Sequence, residues 1–255
     1  FYNVANKIGF ITESKSSDKE LVMSTIRCLD YATTNKSEKN INIIITLIAL
    51  MWTYSSRNEY DLKAVIIKFL SRIGYPTSAI IVDDMFDKEN CQFSAIASLM
   101  DQITIGLNQV KNEVIINEHS FLLTDFQKKI WDAMDREKVI GISAPTSAGK
   151  SFVILMKVMQ KLSSEKYDIV YIVPTLSLLN QVTEDFNRAL KHMEICGCEI
   201  LNTFTTNIDN KENRIYVLTQ EKALAAFANE ETAFSKRMIL IADEIQNIER
   251  IKEDT

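Results

Sequence analysis

The segment Ala144-Pro145-Thr146-Ser147-Ala148-Gly149-Lys150-Ser151 has the composition of a loop that holds a phosphate. Small side chains at Ser147, Ala148 and Gly149 let successive backbone N–H groups converge on phosphate oxygens. Lys150 can reach the β and γ oxygens, and the Ser151 hydroxyl can ligate Mg²⁺. A second group lies downstream, where the apolar run Arg237 to Ala242 ends in two adjacent carboxylates, Asp243 and Glu244. Asp243 can hold Mg²⁺ directly or through water, and Glu244 can orient or deprotonate a water that attacks the γ-phosphate. An acidic pair after a strand also serves as a helix N-terminal charge, but here a phosphate loop stands upstream of it.

Such chemistry requires a strand before the loop and a helix after it. Lys138 to Ser143 reads as a short buried parallel strand, and Ser151 to Leu162 as a helix buried on most sides. The interval from Lys150 to Asp243 has room for two further strand-helix units. Asp168 to Val173 is rich in β-branched residues, is stopped by Pro174 and leads into a helical pattern from Thr175 to Leu190. Arg214 to Leu218 reads as another strand, with Thr219 capping a helix that runs through Glu221, Leu224 and Phe227. Glu199 to Phe204 reads as a further short strand. The expected fold is α/β, a RecA-like parallel sheet of the P-loop NTPase kind.

These residues resemble the first motor domain of a superfamily 2 helicase, and more narrowly its Ski-type, DExH-like branch. Leu123-Thr124-Asp125-Phe126-Gln127 is similar to the adenine-reading Gln motif, Ala144 to Ser151 to motif I, Pro174 to Gln181 to motif Ia, and Asp243 to Gln246 to motif II. Thr219-Gln220-Glu221-Lys222-Ala223-Leu224 is similar to the Thr-Pro-Glu block. The resemblance spans roughly Phe121 to Glu249. It implies ATP and Mg²⁺ as cofactors, DNA or RNA as partner, nucleotide contacts from Phe126 and Gln127 together with the loop, and a role for Gln246 beside Lys150, Asp243 and Glu244 in hydrolysis. The Ser-, Lys- and Asn-rich N-terminal region is also similar, more distantly, to helicase subunits of Hachiman-type anti-phage systems, which implies cytoplasmic antiviral defence.

Physical readings stand beside the resemblance. The Gln127 amide offers both an acceptor and a donor, matching N6 and N7 of adenine; the plainer reading is a polar residue on an exposed face of a helix over 125 to 135. Pro174, Thr175, Gln181 and Thr219 lie where loops and helix N-termini at the carboxyl ends of parallel strands can meet backbone phosphates, and simple helix capping is the alternative. The chain departs from the family pattern in three places: Asn202 to Asn207 replaces the Gly-Asp block, Gln220 replaces a Pro, and Gln246 replaces the His that usually ends motif II.

Residues 1 to 118 carry no nameable motif. Asn40 to Tyr54 is the most apolar stretch, too short to span a bilayer and flanked by polar residues, so it reads as a buried helix. Tyr60 to Ile73 and Phe93 to Val110 also show helical spacing. We expect an all-α accessory domain over 1–118, suited to docking a protein partner or to scaffolding the motor, and a first motor domain over 119–255, truncated after motif II and belonging to a longer protein. With 46% apolar residues, 255 residues can bury cores for about two domains. A net charge of −5 supplies no bulk positive field for nucleic acid. Cys28, Cys91, Cys196 and Cys198 lack metal-ligand spacing and read as free thiols, and neither His119 nor His192 has ligand companions in the sequence. No signal peptide or membrane span is visible.

Three functions are compatible with this pattern. One is an ATP-dependent helicase or translocase; another is a double-stranded DNA translocase of restriction or remodelling type; the third is a partner-binding module switched by ATP without unwinding. A second motor domain that would complete the cleft is expected beyond Thr255, so the segment alone is expected to be inactive.

Overall fold

Backbone N–H and C=O groups must be paired when buried, and in a computed structural model of the chain two kinds of element do this, helices first and then a parallel sheet. The structure describes residues 18–37, 39–58, 61–87, 93–94, 98–145, 148–204, 213–228 and 237–244. The chain divides into two compact units, one comprising 1–114 with 120–130 and the other 115–119 with 131–255.

The first unit holds α1 (Asp18–Thr34), α2 (Ile41–Asn58), α3 (Lys63–Ile73), α4 (Pro76–Val82) and α5 (Leu99–Asn112). Their apolar residues recur at helical spacing and meet in one core, where Leu29, Ile66, Ile67, Phe69 and Ile105 are essentially inaccessible. The apolar stretch from Asn40 is indeed a helix with one buried side, carrying Ile44, Ile48 and Met51 inward. α3 ends at Gly74 in the left-handed conformation, φ +89°. The Tyr75 N–H then closes back on the Leu70 carbonyl at 2.9 Å. The hairpin of β1 (Glu113–Ile116) and β2 (His119–Leu122) and then α6 (Asp125–Arg136) follow, and the division between the units runs through both.

The second unit holds, in chain order, α7 (Lys150–Ser164), β3 (Asp168–Val173), α8 (Leu176–His192), β4 (Cys198–Leu201), β5 (Asn213–Thr219), α9 (Gln220–Ala228) and β6 (Met238–Ala242). The strands form one sheet in the order β4-β5-β3-β6, parallel throughout. This is the α/β sheet preceded by helices that the sequence implies. β3 and β5 lie inside it and are buried along almost their whole length, as central parallel strands must be. Val170, Tyr216, Leu218 and Ala223 make one core cluster against the sheet.

One expected element is absent. Residues 138–143 form no strand: the backbone there is irregular and Val139 is 90% exposed. A strand this short needs a neighbouring ladder, and Gly141 at its centre, with nothing within 4 Å of a Cβ built there, supplies no packing. The outer edge of β6 carries no partner among the described residues, and Leu240 is 52% exposed.

Candidate active site

Lys150 opens α7, and the residue before it, Gly149, is its N-cap in the left-handed region at φ +71°. That conformation costs glycine nothing and most other residues about 1 kcal/mol or more. It lets the loop turn sharply into a helix whose first amides carry partial positive charge. Upstream, the Ala148 N–H donates to the Pro145 carbonyl at 3.1 Å. The Lys150 ammonium donates to the carbonyls of Ala144 and, at 3.2 Å, Pro145. It is in no ion pair among the described residues, so this cation is held over the loop by neutral oxygens. Ser151 is exposed on the first turn. Thr146 and Ser147 lie outside the described residues.

α7 is anchored from below. Its Lys157 is 4% exposed, donates to Asp135 of α6 at 2.6 Å and lies over the Trp131 ring at 4.2 Å. Lys161 meets the other oxygen of Asp135 at 3.1 Å. Burial pushes the Lys157 ammonium below its ordinary value, and the Asp135 hydrogen bond only partly offsets it.

The carboxylates stand at the carboxyl end of β6. β3 and β6 are in register with Tyr171 opposite Ile241 and Ile172 opposite Ala242. The Asp243 N–H continues the ladder, donating to the Ile172 carbonyl at 3.0 Å. Strand alternation puts Asp243 on the face of Ile241, and therefore beside Tyr171. The Tyr171 hydroxyl accordingly donates to Asp243 Oδ2 at 3.1 Å, and the Glu244 N–H donates to Oδ1 at 3.0 Å. Burial, then the Asp243 charge, raises the Tyr171 phenol well above its ordinary range, so it remains a donor. Glu244 is exposed with φ +51°, a left-handed position that turns the chain off the strand. No lysine, arginine or histidine is ion-paired with Asp243 among the described residues. Hard oxygen donors, the Asp243 carboxylate and the Ser151 hydroxyl, suit Mg²⁺, which takes few protein ligands and keeps several waters. Gln246 lies outside the described residues.

The remaining predicted residues fall into local roles that the structure makes visible. Gln127 is buried at the third position of α6, where its Oε1 accepts from the Thr124 N–H at 3.0 Å while its own N–H donates to Thr124 Oγ1 at 3.2 Å. This is a reciprocal capping box, and its signal, Thr-x-x-Gln before an apolar run, was present in the sequence. The exposed face foreseen as the plainer reading is thus replaced by a buried one. Phe126 is half-buried. Thr175 is the N-cap of α8, accepting from the Leu178 N–H at 3.3 Å, with Pro174 before it and Gln181 exposed on the second turn. Thr219 is buried at the end of β5, and its hydroxyl hydrogen-bonds the Glu221 carboxylate. Sequence reasoning missed Tyr171, whose signal was a lone hydroxyl inside an otherwise aliphatic strand. His119 and His192 stack on each other, centroids 5.3 Å apart. Among the described residues no group of three or more His, Cys, Asp or Glu side chains is placed to hold a metal, and no helix is long and apolar enough to cross a membrane.

Comparison with known proteins places the chain among helicases. A protein of the Sulfolobus islandicus filamentous virus (isolate Iceland/Hveragerdi), whose name places it among the helicases, is 32% identical over 135 residues, covering 51% of this chain and 22% of its own length. Activating signal cointegrator 1 complex subunit 3 of Dictyostelium discoideum is 28% identical over 137 residues, 48% of this chain and 6% of its own. An uncharacterized helicase of Caenorhabditis elegans is 32% identical over 99 residues, 36% of this chain and 6% of its own. The chain thus spans less than a quarter of the length of each of these relatives. No solved structure matches it. The family described as DEAD/DEAH box helicase matches residues 124–254, just over half of the chain, and the chain therefore belongs to the DEAD/DEAH box helicases, within superfamily 2 as the motifs imply.

Proposed function

We propose that this chain supplies one wall of the ATP site of a nucleic-acid helicase or translocase. Residues 119–255 would form the first motor domain and residues 1–118 an accessory domain. The observation that carries the reading is the pairing of a left-handed Gly149 with an ammonium at Lys150 held over the loop, in the same unit as an Asp243-Glu244 pair at the carboxyl end of a parallel strand. Lys150 and the first amides of α7 bind the β and γ phosphates, and Ser151 and Asp243 hold the metal. Mg²⁺, when bound, neutralises charge on the phosphate oxygens. Glu244 orients the attacking water and accepts its proton. The exposed N-cap of α8 at Thr175 and the neighbouring Gln181 meet nucleic-acid phosphates by helix-terminal N–H groups, with Pro174 and Thr219 shaping the two loops. Contacts of this kind carry no sequence information, which fits a motor that travels.

The reading is tested in the full-length protein by nucleic-acid-stimulated phosphate release. Lys150→Ala is expected to abolish turnover without lowering the melting temperature, since a loop lysine contributes little to the core. Glu244→Gln is expected to retain ATP·Mg²⁺ binding and lose at least about 10²-fold in turnover. Wild-type turnover in a folded Lys150→Ala variant would sink the assignment.

A further inference from the structure

Resting on that site reading, we propose that Tyr171 is a positioning residue for the metal-binding carboxylate. Its ring is 3% exposed and set edge-on to Phe186 of α8, centroids 5.8 Å apart at 79°. Packing of this kind leaves a tyrosine little rotamer freedom. Its hydroxyl has one proton and donates it to Asp243 Oδ2, with 3.1 Å between the two oxygens. The Glu244 N–H takes a position on Oδ1. A carboxylate has about four lone-pair positions. The two donors occupy one on each oxygen and fix its plane, leaving the remaining positions to a cation and its waters. Without the hydroxyl, Asp243 keeps, among the described residues, only the hydrogen bond from its own neighbour Glu244 and is freer to rotate about its side-chain bonds. An outer donor of this type acts on metal affinity through the ligand it orients, commonly by 10-fold to 100-fold.

Tyr171→Phe removes the hydroxyl and preserves the ring that packs on Phe186. The experiment uses the full-length protein and follows a fluorescent ATP analogue at increasing Mg²⁺, with the melting temperature measured on the same samples. The expected result is a roughly 10-fold higher Mg²⁺ requirement, with unchanged nucleotide affinity in EDTA and an unchanged melting temperature. A role in folding alone would move the melting temperature and leave the Mg²⁺ requirement where it was. In an Asp243→Asn background, Tyr171→Phe is expected to add nothing, because its effect passes through that carboxylate. Should Tyr171→Phe fail to fold, Phe186→Leu loosens the ring without removing the hydroxyl and is expected to raise the Mg²⁺ requirement by a smaller factor. An unchanged requirement in the folded variant overturns the proposal. Lys150→Ala is the control for the underlying site. If it binds the analogue as the wild type does, the phosphate-loop reading fails and the Tyr171 proposal falls with it. If binding depends on Lys150 and Tyr171→Phe has no effect, only the Tyr171 proposal is overturned.

Discussion

Asp168 and Arg214 stand opposite each other in the register of β3 and β5 and form a buried ion pair, Nε to Oδ1 3.2 Å, with side chains 3% and 7% exposed. A second guanidinium nitrogen of Arg214 donates to the Tyr216 hydroxyl at 3.2 Å. The pair sits where both strands begin, at the end of the sheet away from Asp243. It couples the two central strands whose far ends carry the site loops.

Removing one partner of this pair should cost far more than removing both. Asp168→Ala leaves a guanidinium buried without its counter-charge, and the expected loss is about 3–5 kcal/mol. Replacing both by apolar residues of similar volume, Asp168→Leu with Arg214→Met, should recover most of it, since two desolvation costs disappear together. Urea denaturation of the single and double variants checks this. A double variant as unstable as the single would mean that the pair contributes net stability beyond its own desolvation.

A close approach of the backbone governs the first unit in a similar way. Gly74 at φ +89° lies so near Asp125 that a Cβ there would fall 2.2 Å from its Cγ, and the Asp125 N–H donates to the Gly74 carbonyl at 2.9 Å. Gly74→Ala combines a left-handed strain with a clash against a fixed carboxylate, so we expect a loss of about 2–4 kcal/mol. Asp125 in turn accepts from Asn112 at 2.8 Å and Lys36 at 3.0 Å. Burial pushes its carboxyl upward, but these two hydrogen bonds outweigh it and hold the group below its ordinary 3.8. A lowered folded value means that the stabilisation is present above 3.8 and is lost as the pH falls through the lowered value. Acid titration of stability should therefore be less steep below 3.8 in Asp125→Asn than in the wild type.

How much of this could be foreseen follows from the range of the signals. The turn at Gly149 into α7, the end of β6 at Asp243 and β3 are local patterns in which a few neighbouring residue types dictate the backbone, and that much of the backbone was legible. So were α2, α3 and α5 of the first unit, because apolar residues at helical spacing bury one face wherever the partner comes from, whereas α1 and α4 were not read. The strand expected at 138–143 failed because a strand is a statement about a neighbour, and its local sequence has a glycine at the centre. Tyr171 beside Asp243 and Asp168 beside Arg214 depend on sheet register across 72 and 46 residues, which composition does not encode. Thr124 with Gln127 carries the Thr-x-x-Gln pattern of a capping box, a third role for the glutamine beside purine contact and an exposed polar position.

The helix cap at Gln127 and the purine contact that the family resemblance implies for it can be separated experimentally. Its Oε1 is engaged by the Thr124 N–H at 3.0 Å, so the side chain holds the start of α6 whatever it does with a purine. Gln127→Glu keeps an acceptor at that position and adds a negative charge in the first helical turn, where the dipole favours it, so stability should hold or rise by a few tenths of a kcal/mol. The same change removes the amide donor that a contact to adenine N7 would require. The expected outcome in the full-length protein is an ATP KM raised about 10-fold, a GTP KM little changed and an unaltered melting temperature, the loss of one buried hydrogen bond being worth roughly 1–1.5 kcal/mol. Gln127→Ala should lose both functions, about 1 kcal/mol of stability together with purine selection. If Gln127→Glu discriminates ATP from GTP as the wild type does, Gln127 is a helix cap and nothing more.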